Sequence, residues 1–218
     1  MTGSAPSNAV LADLLGALAY GELTAFQRLS ADSSLAPTVE DAAALGAMAV
    51  AEYGHFVQLR DHLAAKGIDP GAAMAPFVAD FDAFHRQTAP ADWIQSLVKA
   101  YVGDGLGSDF YREVSGFVDA ETKGLVAAVV ADTGHAAFAV ERVREAIEAD
   151  PTLRGRLGLW ARRIVGEALT QAQRAALERD ALVDLLMGGT TDLTDMGDVF
   201  GRIVAGHERR MESLGLAL

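Results

Sequence analysis

With 218 residues, half of them hydrophobic, the chain is long enough for one sizeable core and too apolar to be disordered. Thirty acidic against eighteen basic residues give a net charge of −12, which opposes binding to nucleic-acid phosphates or anionic lipid. The absence of cysteine excludes disulfides, thiolate catalysis, iron–sulfur clusters and cysteine-bound zinc.

Helical periodicity dominates the sequence. Apolar residues recur at intervals of three and four, and no convincing set of alternating strands interrupts them. Helices are predicted, in chain order, over residues 8–32, 38–66, 91–117, 120–149, 153–187 and 191–215. The intervening stretch 67–90 contains proline and phenylalanine and suits a crossover with a short helix. The prediction is a single all-α domain over 1–218, with a four-helix core at about 8–150 and additional C-terminal helices at about 153–215.

The N-terminal segment does not have the composition of a signal peptide. "MTGSAPSNAV" lacks both a basic region and a long apolar core. No uninterrupted apolar stretch is long enough to span a bilayer. We therefore expect a cytoplasmic protein with no membrane partner.

Three histidines follow an acidic residue by three positions. The pairs are Glu52/His55, Asp82/His85 and Asp132/His135. Two of them, in "AEYGH" and "ADTGH", share the order alanine, acid, any residue, glycine, histidine, whereas the pair in "ADFDAFH" does not. The shared context favours the first and third pairs as related sites, and the second is interpreted as a surface pair on the crossover.

Each related pair has an acidic residue upstream at a matching interval. Glu22 precedes Glu52 by thirty residues, and Asp104 precedes Asp132 by twenty-eight. Turns near residues 37 and 118 lie midway, so antiparallel helices rising about 1.5 Å per residue would bring each acid level with its partner. The sequence therefore contains the same half-site twice.

The acids of these half-sites lie on apolar helical stripes that should face the bundle interior. Leu18 and Phe26 flank Glu22 at helical spacing, and Met48 and Phe56 flank Glu52. Four buried carboxylates would repel one another, and burial of each without a partner is costly. Two divalent cations would neutralise them and would also give both histidines a role as ligands. The pattern therefore predicts a two-metal site.

The pattern resembles the ferritin-like di-iron carboxylate proteins, which take a lone carboxylate from each of two helices and a Glu-x-x-His pair from each of the other two. By this resemblance Glu22 and Asp104 match the lone carboxylates, while Glu52/His55 and Asp132/His135 match the pairs. The segments "GELTAF", "AEYGHF", "LVKAYVGDG" and "ADTGHAAFAV" resemble the MiaE-like branch of tRNA hydroxylases. In motif terms the resemblance extends over roughly residues 8–150.

The resemblance implies a ferritin-like four-helix bundle that binds two iron ions, with manganese or mixed metals as alternatives, and acts as an O₂-dependent oxygenase or hydroxylase. Its partners would be a small-molecule or modified-nucleoside substrate and an electron-donor protein. A homodimer is compatible with it, whereas the net charge of −12 disfavours direct tRNA binding. Two alternatives stay open: a ferritin-like protein that oxidises or stores iron, and a metal-free helical scaffold that has lost the site.

Two departures from the family pattern bear on the second half-site. Its acids are aspartates, each one methylene shorter than glutamate, which predicts a weaker site or closer helix packing. Gly103, Gly105 and Gly107 surround Asp104 and fit close packing, a bend or room for a ligand, with a kinked segment as the alternative.

Four further residues are candidates for contact with the metal ligands. Tyr20, Tyr53 and Tyr101 each lie close in sequence to a predicted ligand and could donate a hydrogen bond, with amphipathic packing as the alternative reading. Glu167 would approach the metals if the fifth predicted helix covers the open end of the core, but a polar surface position explains it equally well.

Overall fold

The structure, a computed structural model, describes residues 8–131, 135–177 and 193–216. These residues form α-helices and short 3-10 turns, and no strand occurs among them. In chain order the helices are α1 (Asn8–Asp32), α2 (Val39–Ala65), α3 (Pro70–Met74), α4 (Val78–Gln87), α5 (Trp93–Val114), α6 (Ala120–Val129), α7 (His135–Ala149), α8 (Leu153–Leu177) and α9 (Leu193–Ser213). The predicted all-α architecture is confirmed.

Side-chain caps determine where three of the long elements begin. Thr38, Asp92 and Asp119 each precede a helix and accept a hydrogen bond from the backbone N–H three residues later. Such a cap typically contributes about 1 kcal/mol of stability. For α6 the cap is Asp119, whose Oδ1 accepts a hydrogen bond from the backbone N–H of Thr122 at 2.9 Å.

The helix predicted over 120–149 is not continuous. Helix α6 ends at Val129, Val130 forms a turn, and α7 begins at His135. The intervening sequence "VADTG" consists mainly of residues with low helix propensity. Continuing the helix through them is therefore less favourable. The helical period on either side was read correctly, but the break between the two segments was not predicted.

The contacts between helices define a bundle. Helix α1 lies along α2, to which it is joined by a short connection, and α5 packs against α7, α8 and α9. The crossover contributes α3, which packs on α1, and α4, which packs on α8. The four-helix core predicted at about 8–150 therefore corresponds to α1, α2, α5 and the α6–α7 pair. The assignment of 1–218 to a single domain stays a prediction.

Two apolar clusters fill the interior, one on either side of a polar level. One cluster contains residues late in α1 and early in α2, such as Leu29 and Leu45, together with residues of α5, α7, α8 and α9. The other contains residues early in α1 and late in α2, such as Leu15 and Leu59, together with residues of α6. Glu22 lies where α1 passes from one cluster to the other, and Glu52 lies at the corresponding place in α2. The two carboxylates therefore have apolar packing on both sides.

Helix α1 is the most membrane-like segment of the described residues. Asn8–Leu35, which includes the adjoining 3-10 turn, is long and apolar enough to cross a bilayer by length and composition, with a window of mean hydropathy 1.4. In the structure its leucines are buried against neighbouring helices instead, among them Leu14, Leu15 and Leu18. A buried core helix meets the same criteria.

Candidate metal centre

Glu22, Glu52 and His55 meet between α1 and α2. The Nδ1 atom of His55 lies 3.3 Å from Oε2 of Glu22 and 3.3 Å from Oε2 of Glu52. One ligand atom from each of the three side chains lies within 4.8 Å of the others, an arrangement that could hold a metal ion. The structure thus brings together the three residues of the first predicted half-site, as expected from two helices paired about a turn near residue 37.

His135 brings α7 to the same carboxylate. Its Nδ1 atom lies 3.6 Å from Oε1 of Glu52, the oxygen that does not face His55. Glu52 is buried, with 7% of its surface exposed. One of its two carboxylate oxygens faces His55 and the other faces His135. A carboxylate between two histidines is well placed to bridge two cations.

The second half-site is less compact in the described residues. Asp104 lines a cavity that it shares with Glu52, His55, Ser108 and His135, but it is more exposed than Glu52. The described residues contain no further group of three potential ligands as close as the first. Asp132, the other predicted ligand, lies outside the described residues. Asp104 therefore marks the solvent side of the cavity rather than its centre.

The cavity between the half-sites is small. Its volume is about 20 Å³, counted as the space open to the centre of a water molecule. That space accepts a water molecule, which needs roughly 10–15 Å³ on this measure. Small ions and water therefore fit in this conformation, and a nucleoside does not.

Hydrogen bonds and burial shift the pKa values of Glu22, Glu52 and His55. Hydrogen bonds to Glu22 and Glu52 raise the pKa of His55 to about 10, against the opposing effect of burial. Burial raises the pKa of Glu22 well above its usual range. Burial also acts to raise the pKa of Glu52, but hydrogen bonds from His135 and His55 outweigh it and hold that pKa below its usual range. His55 is thus an imidazolium at neutral pH, and a metal ion that binds through it must displace its proton.

Tyr111 is a neighbour of the site that the sequence analysis missed. It lies on α5, is largely buried, and has a pKa raised by burial and by the charge of Glu22. Tyr111 follows Asp104 by seven residues and Ser108 by three, so all three share one helical stripe. This spacing was visible in the sequence and was the signal that could have identified Tyr111.

The structure places the four other candidates at the edges of the site or beyond it. The hydroxyl of Tyr20 bonds to Asp82 of the crossover, and its ring packs edge-on against Phe81. Tyr53 is on the outer side of α2, 43% exposed. Tyr101 packs against the apolar cluster of α5, and Glu167 is half-buried on α8 without lining the cavity.

The glycines around Asp104 have different surroundings. A Cβ at Gly105 would meet Arg210 of α9, with Nε at 2.5 Å, whereas Gly103 and Gly107 have nothing within 4 Å. The Arg210 guanidinium pairs with Asp109, one helical turn after Gly105, at 2.7 Å. Gly105 therefore permits the close packing of α9 on α5, next to the residue that lines the cavity.

The third acid–histidine pair does not join the site. His85 is partly buried on α4, its Nδ1 has no hydrogen-bond partner among the described residues, and its ring contacts Phe84 edge-on at 5.2 Å. The interpretation as a surface pair is therefore wrong for the histidine. Burial, together with the charges of Lys99 and Arg28, lowers the pKa of His85 to about 3.

This low pKa predicts a specific loss of stability in acid. The unfolded chain takes up a proton on His85 near pH 6.5, whereas the folded chain does so only near pH 3. The contribution of neutral His85 is therefore complete above pH 6.5 and is lost as the pH falls through this window, by about 2 kcal/mol at pH 5. Urea unfolding at pH 7 and pH 5 should show a smaller acid loss for His85→Gln than for the wild type. An equal loss in both proteins would contradict the prediction.

Comparison with known proteins agrees with the fold. A family model described as a ferritin-like domain of actinomycetes matches residues 6–189. No curated protein matches the chain. The match covers most of the sequence, including α1 to α8 and every predicted metal ligand. The chain therefore belongs to the family of ferritin-like domains of actinomycetes.

Proposed function

We propose that this ferritin-like protein binds two redox-active metal ions and uses them with O₂, as an oxygenase or hydroxylase of the kind found in the MiaE-like branch. The observation that carries the proposal is the position of Glu52 between His55 and His135. A carboxylate whose two oxygens face two imidazoles is suited to hold two cations side by side.

The residues present fit such a centre. Glu22, Glu52 and His55 would hold one ion, and Glu52, His135 and Asp104 would hold the other, with Asp132 as a further predicted ligand. Carboxylate and imidazole donors suit iron or manganese, and the absence of thiolates disfavours copper(I) and zinc–cysteine chemistry. Iron bound there would supply the activation of O₂ for oxidation of a C–H bond.

The protein's own contribution is to orient the ligands and to exclude water. Apolar clusters lie on both sides of the ligand level, and Tyr111 of α5 belongs to the cluster that also contains residues of α6. Hydrogen bonds to Glu22 and Glu52 raise the pKa of His55, so this side chain would give up a proton if its Nδ1 became a metal ligand. An organic substrate would approach from the side of Asp104, the exposed wall of the cavity.

A second candidate function is oxidation of the metal ion itself. The cavity volume of about 20 Å³ favours it, because ions and water fit there without any movement of the walls. In this case iron(II) is the substrate and no organic molecule is needed. The two functions share the ligand set and differ in what is oxidised.

We also propose a cytoplasmic location, an electron donor and a class of substrate for the protein. An oxygenase needs an electron-donor protein, and the cytoplasm supplies both reduced iron and such donors. The substrate would be a small molecule or a modified nucleoside. With a net charge of −12, recognition of a nucleoside within intact tRNA would require a second protein.

Anaerobic loading with iron(II), followed by metal analysis and O₂ measurement, tests the proposal. We expect about two iron ions per chain. O₂ uptake that stops after the bound iron is oxidised, and resumes only with a reductant and an organic substrate, supports the oxygenase; uptake that continues with each addition of iron(II) supports metal oxidation. Less than one iron or manganese per chain in a folded protein would favour the metal-free scaffold.

A histidine outside the site provides the matched control for this experiment. His62 lies on α2 two turns beyond His55 and contacts Thr122 at 3.2 Å rather than a buried carboxylate. We expect His55→Ala and His135→Ala to lose metal and His62→Ala to retain it. Equal retention by all three variants would contradict the assignment of the ligands.

A further inference from the structure

Ser108 contributes a hydroxyl group to the cavity between the two half-sites. It lies on α5, one helical turn after Asp104, and only 8% of its surface is exposed. The other polar residues that line the cavity are all predicted metal ligands, namely Glu52, His55, Asp104 and His135. Among the described lining residues, Ser108 is therefore the polar one that has no role as a ligand.

The Ser108 hydroxyl differs from those of the other buried serines and threonines in the described chain. Four of these donate a hydrogen bond to the backbone carbonyl three or four residues earlier, at 2.7–2.9 Å, and a fifth donates to a carboxylate at 2.9 Å. In order, they are Thr24, Thr88, Ser96, Ser115 and Thr122. Such local bonds are common for hydroxyls in helices. No bond of this kind is formed by Ser108 within the described residues.

The hydroxyl oxygen of Ser108 is open to the cavity. Polar side-chain atoms that are both fully enclosed and without a partner do occur in the described chain, for example in His85 and Gln171, and the Oγ of Ser108 is not one of them. A buried hydroxyl is unfavourable unless its hydrogen bond is completed. The cavity, with a volume of about 20 Å³, has room for a molecule that completes it.

We propose that the Ser108 hydroxyl donates a hydrogen bond to a small acceptor molecule bound between the two half-sites, which in the oxygenase reaction is O₂. The inference rests on the proposed function, because metals at the half-sites would hold the other side of that molecule. The carboxylate oxygens of Glu52 and Asp104 accept hydrogen bonds and cannot donate them when ionised. Ser108 supplies a neutral donor that these carboxylates do not provide.

The apolar part of the cavity wall limits what Ser108 can bind. Val129 and Val130, at the end of α6, line the cavity and are buried in the apolar cluster of that helix. The wall thus combines apolar side chains and one hydroxyl with the predicted ligands. This combination suits a molecule of two or three atoms that accepts a single hydrogen bond, and the small volume excludes a larger organic group.

Azide titration of the full-length, iron-loaded and air-oxidised protein tests the proposal. Azide is a triatomic anion that binds ferric iron and accepts hydrogen bonds, and the absorption band of the complex reports its affinity. We expect Ser108→Ala to retain the iron of the wild type and to bind azide about 10-fold more weakly, as is usual when a hydrogen bond to a charged group is lost. Ser96→Ala, on the same helix, is the matched control. The Ser96 hydroxyl bonds to the carbonyl of Trp93 at 2.7 Å, so its loss should leave azide affinity unchanged.

Infrared spectroscopy separates a hydrogen bond from a change in the shape of the cavity. The hydroxyl hydrogen exchanges with solvent, so the stretching band of bound azide should shift between H₂O and D₂O in the wild type and lose this shift in Ser108→Ala. Equal azide affinity in the two proteins, or an equal isotope shift, would overturn the inference and leave the two-metal site intact. Loss of iron from Ser108→Ala would also overturn it, since Ser108 would then support the metals themselves. A wild type without iron would overturn the proposed function and this inference together.

Discussion

Glu52→Gln should remove both metal ions from the protein. The substitution keeps the volume of the side chain and removes the charge of the one carboxylate that faces both His55 and His135. Glu22 faces His55 at 3.3 Å, and in the part of the chain that the structure describes no contact between Glu22 and His135 is seen, so Glu22→Gln should remove one ion and leave the other. Metal analysis after equilibration with buffered manganese(II) or iron(II) measures both. We expect a loss of affinity of at least about 100-fold for each ion removed, because loss of a mere hydrogen-bond partner of a metal ligand already costs about 10–100-fold.

An exposed carboxylate provides the control for the loss of charge. Glu121 pairs with Lys66 on the surface at 2.7 Å, and Glu121→Gln removes the same charge away from the site. This variant should retain both ions. If Glu52→Gln retained one ion while Glu22→Gln lost both, the bridging carboxylate would be Glu22, and the assignment of the two half-sites would be wrong.

Gly16→Ala should destabilise the fold although alanine is the better helix former. A Cβ at Gly16 would overlap the carbonyl oxygen of Ala73 in α3 and lie 2.6 Å from its carbonyl carbon. Both atoms belong to the backbone, so the clash can be relieved only by moving α3 away from α1. Overpacking of this kind costs 1–3 kcal/mol, and we expect a net loss of about 2 kcal/mol in the free energy of unfolding.

The same substitution at an open position separates this clash from helix propensity. Gly166 lies in the middle of α8, and a Cβ there would meet nothing within 4 Å. Gly166→Ala should therefore stabilise the protein by roughly 0.5–1 kcal/mol. Chemical denaturation of both variants gives the comparison. Stabilisation by both substitutions would show that α3 does not pack against Gly16 as the structure indicates.

The first half-site was predictable because it depends only on counting. Glu22 and Glu52 lie at equal distances from a turn near residue 37, and both helices are uninterrupted from that turn to the acids. Regular helical rise then brings the two carboxylates level, and the spacing of three places His55 beside Glu52. The interior position of each acid followed from the apolar residues one turn away.

The second half-site was less predictable because its helix is interrupted. The count from Asp104 to Asp132 assumes a continuous helix over 120–149, whereas α6 ends at Val129 and α7 begins at His135. The orientation of His135 depends on this break, which the weak helix formers of "VADTG" signal but do not locate. His135 nevertheless lies 3.6 Å from Glu52, and α7 packs against α5.

The sequence pattern did not predict contacts between distant segments. The packing of Arg210 on Gly105 joins α9 to α5, and no periodicity links residues so far apart. The buried histidine of α4 was missed for the same reason, since its environment is built by Lys99 and Arg28 from two other helices. Local periods predicted which residues face inward, but not which elements cover them.

The helices that pack against α5 limit where subunits could join, and this bears on where oxidised iron would be deposited. Helices α7, α8 and α9 all pack against α5, so this side of the bundle does not provide a bare helix for neighbouring subunits. A protein shell that encloses a mineral needs contacts on several faces of each subunit. Where α5 is covered in this way, contacts of that kind would have to use other faces of the bundle. Without a shell, ferric product would leave the site or remain there, and any mineral would form in solution.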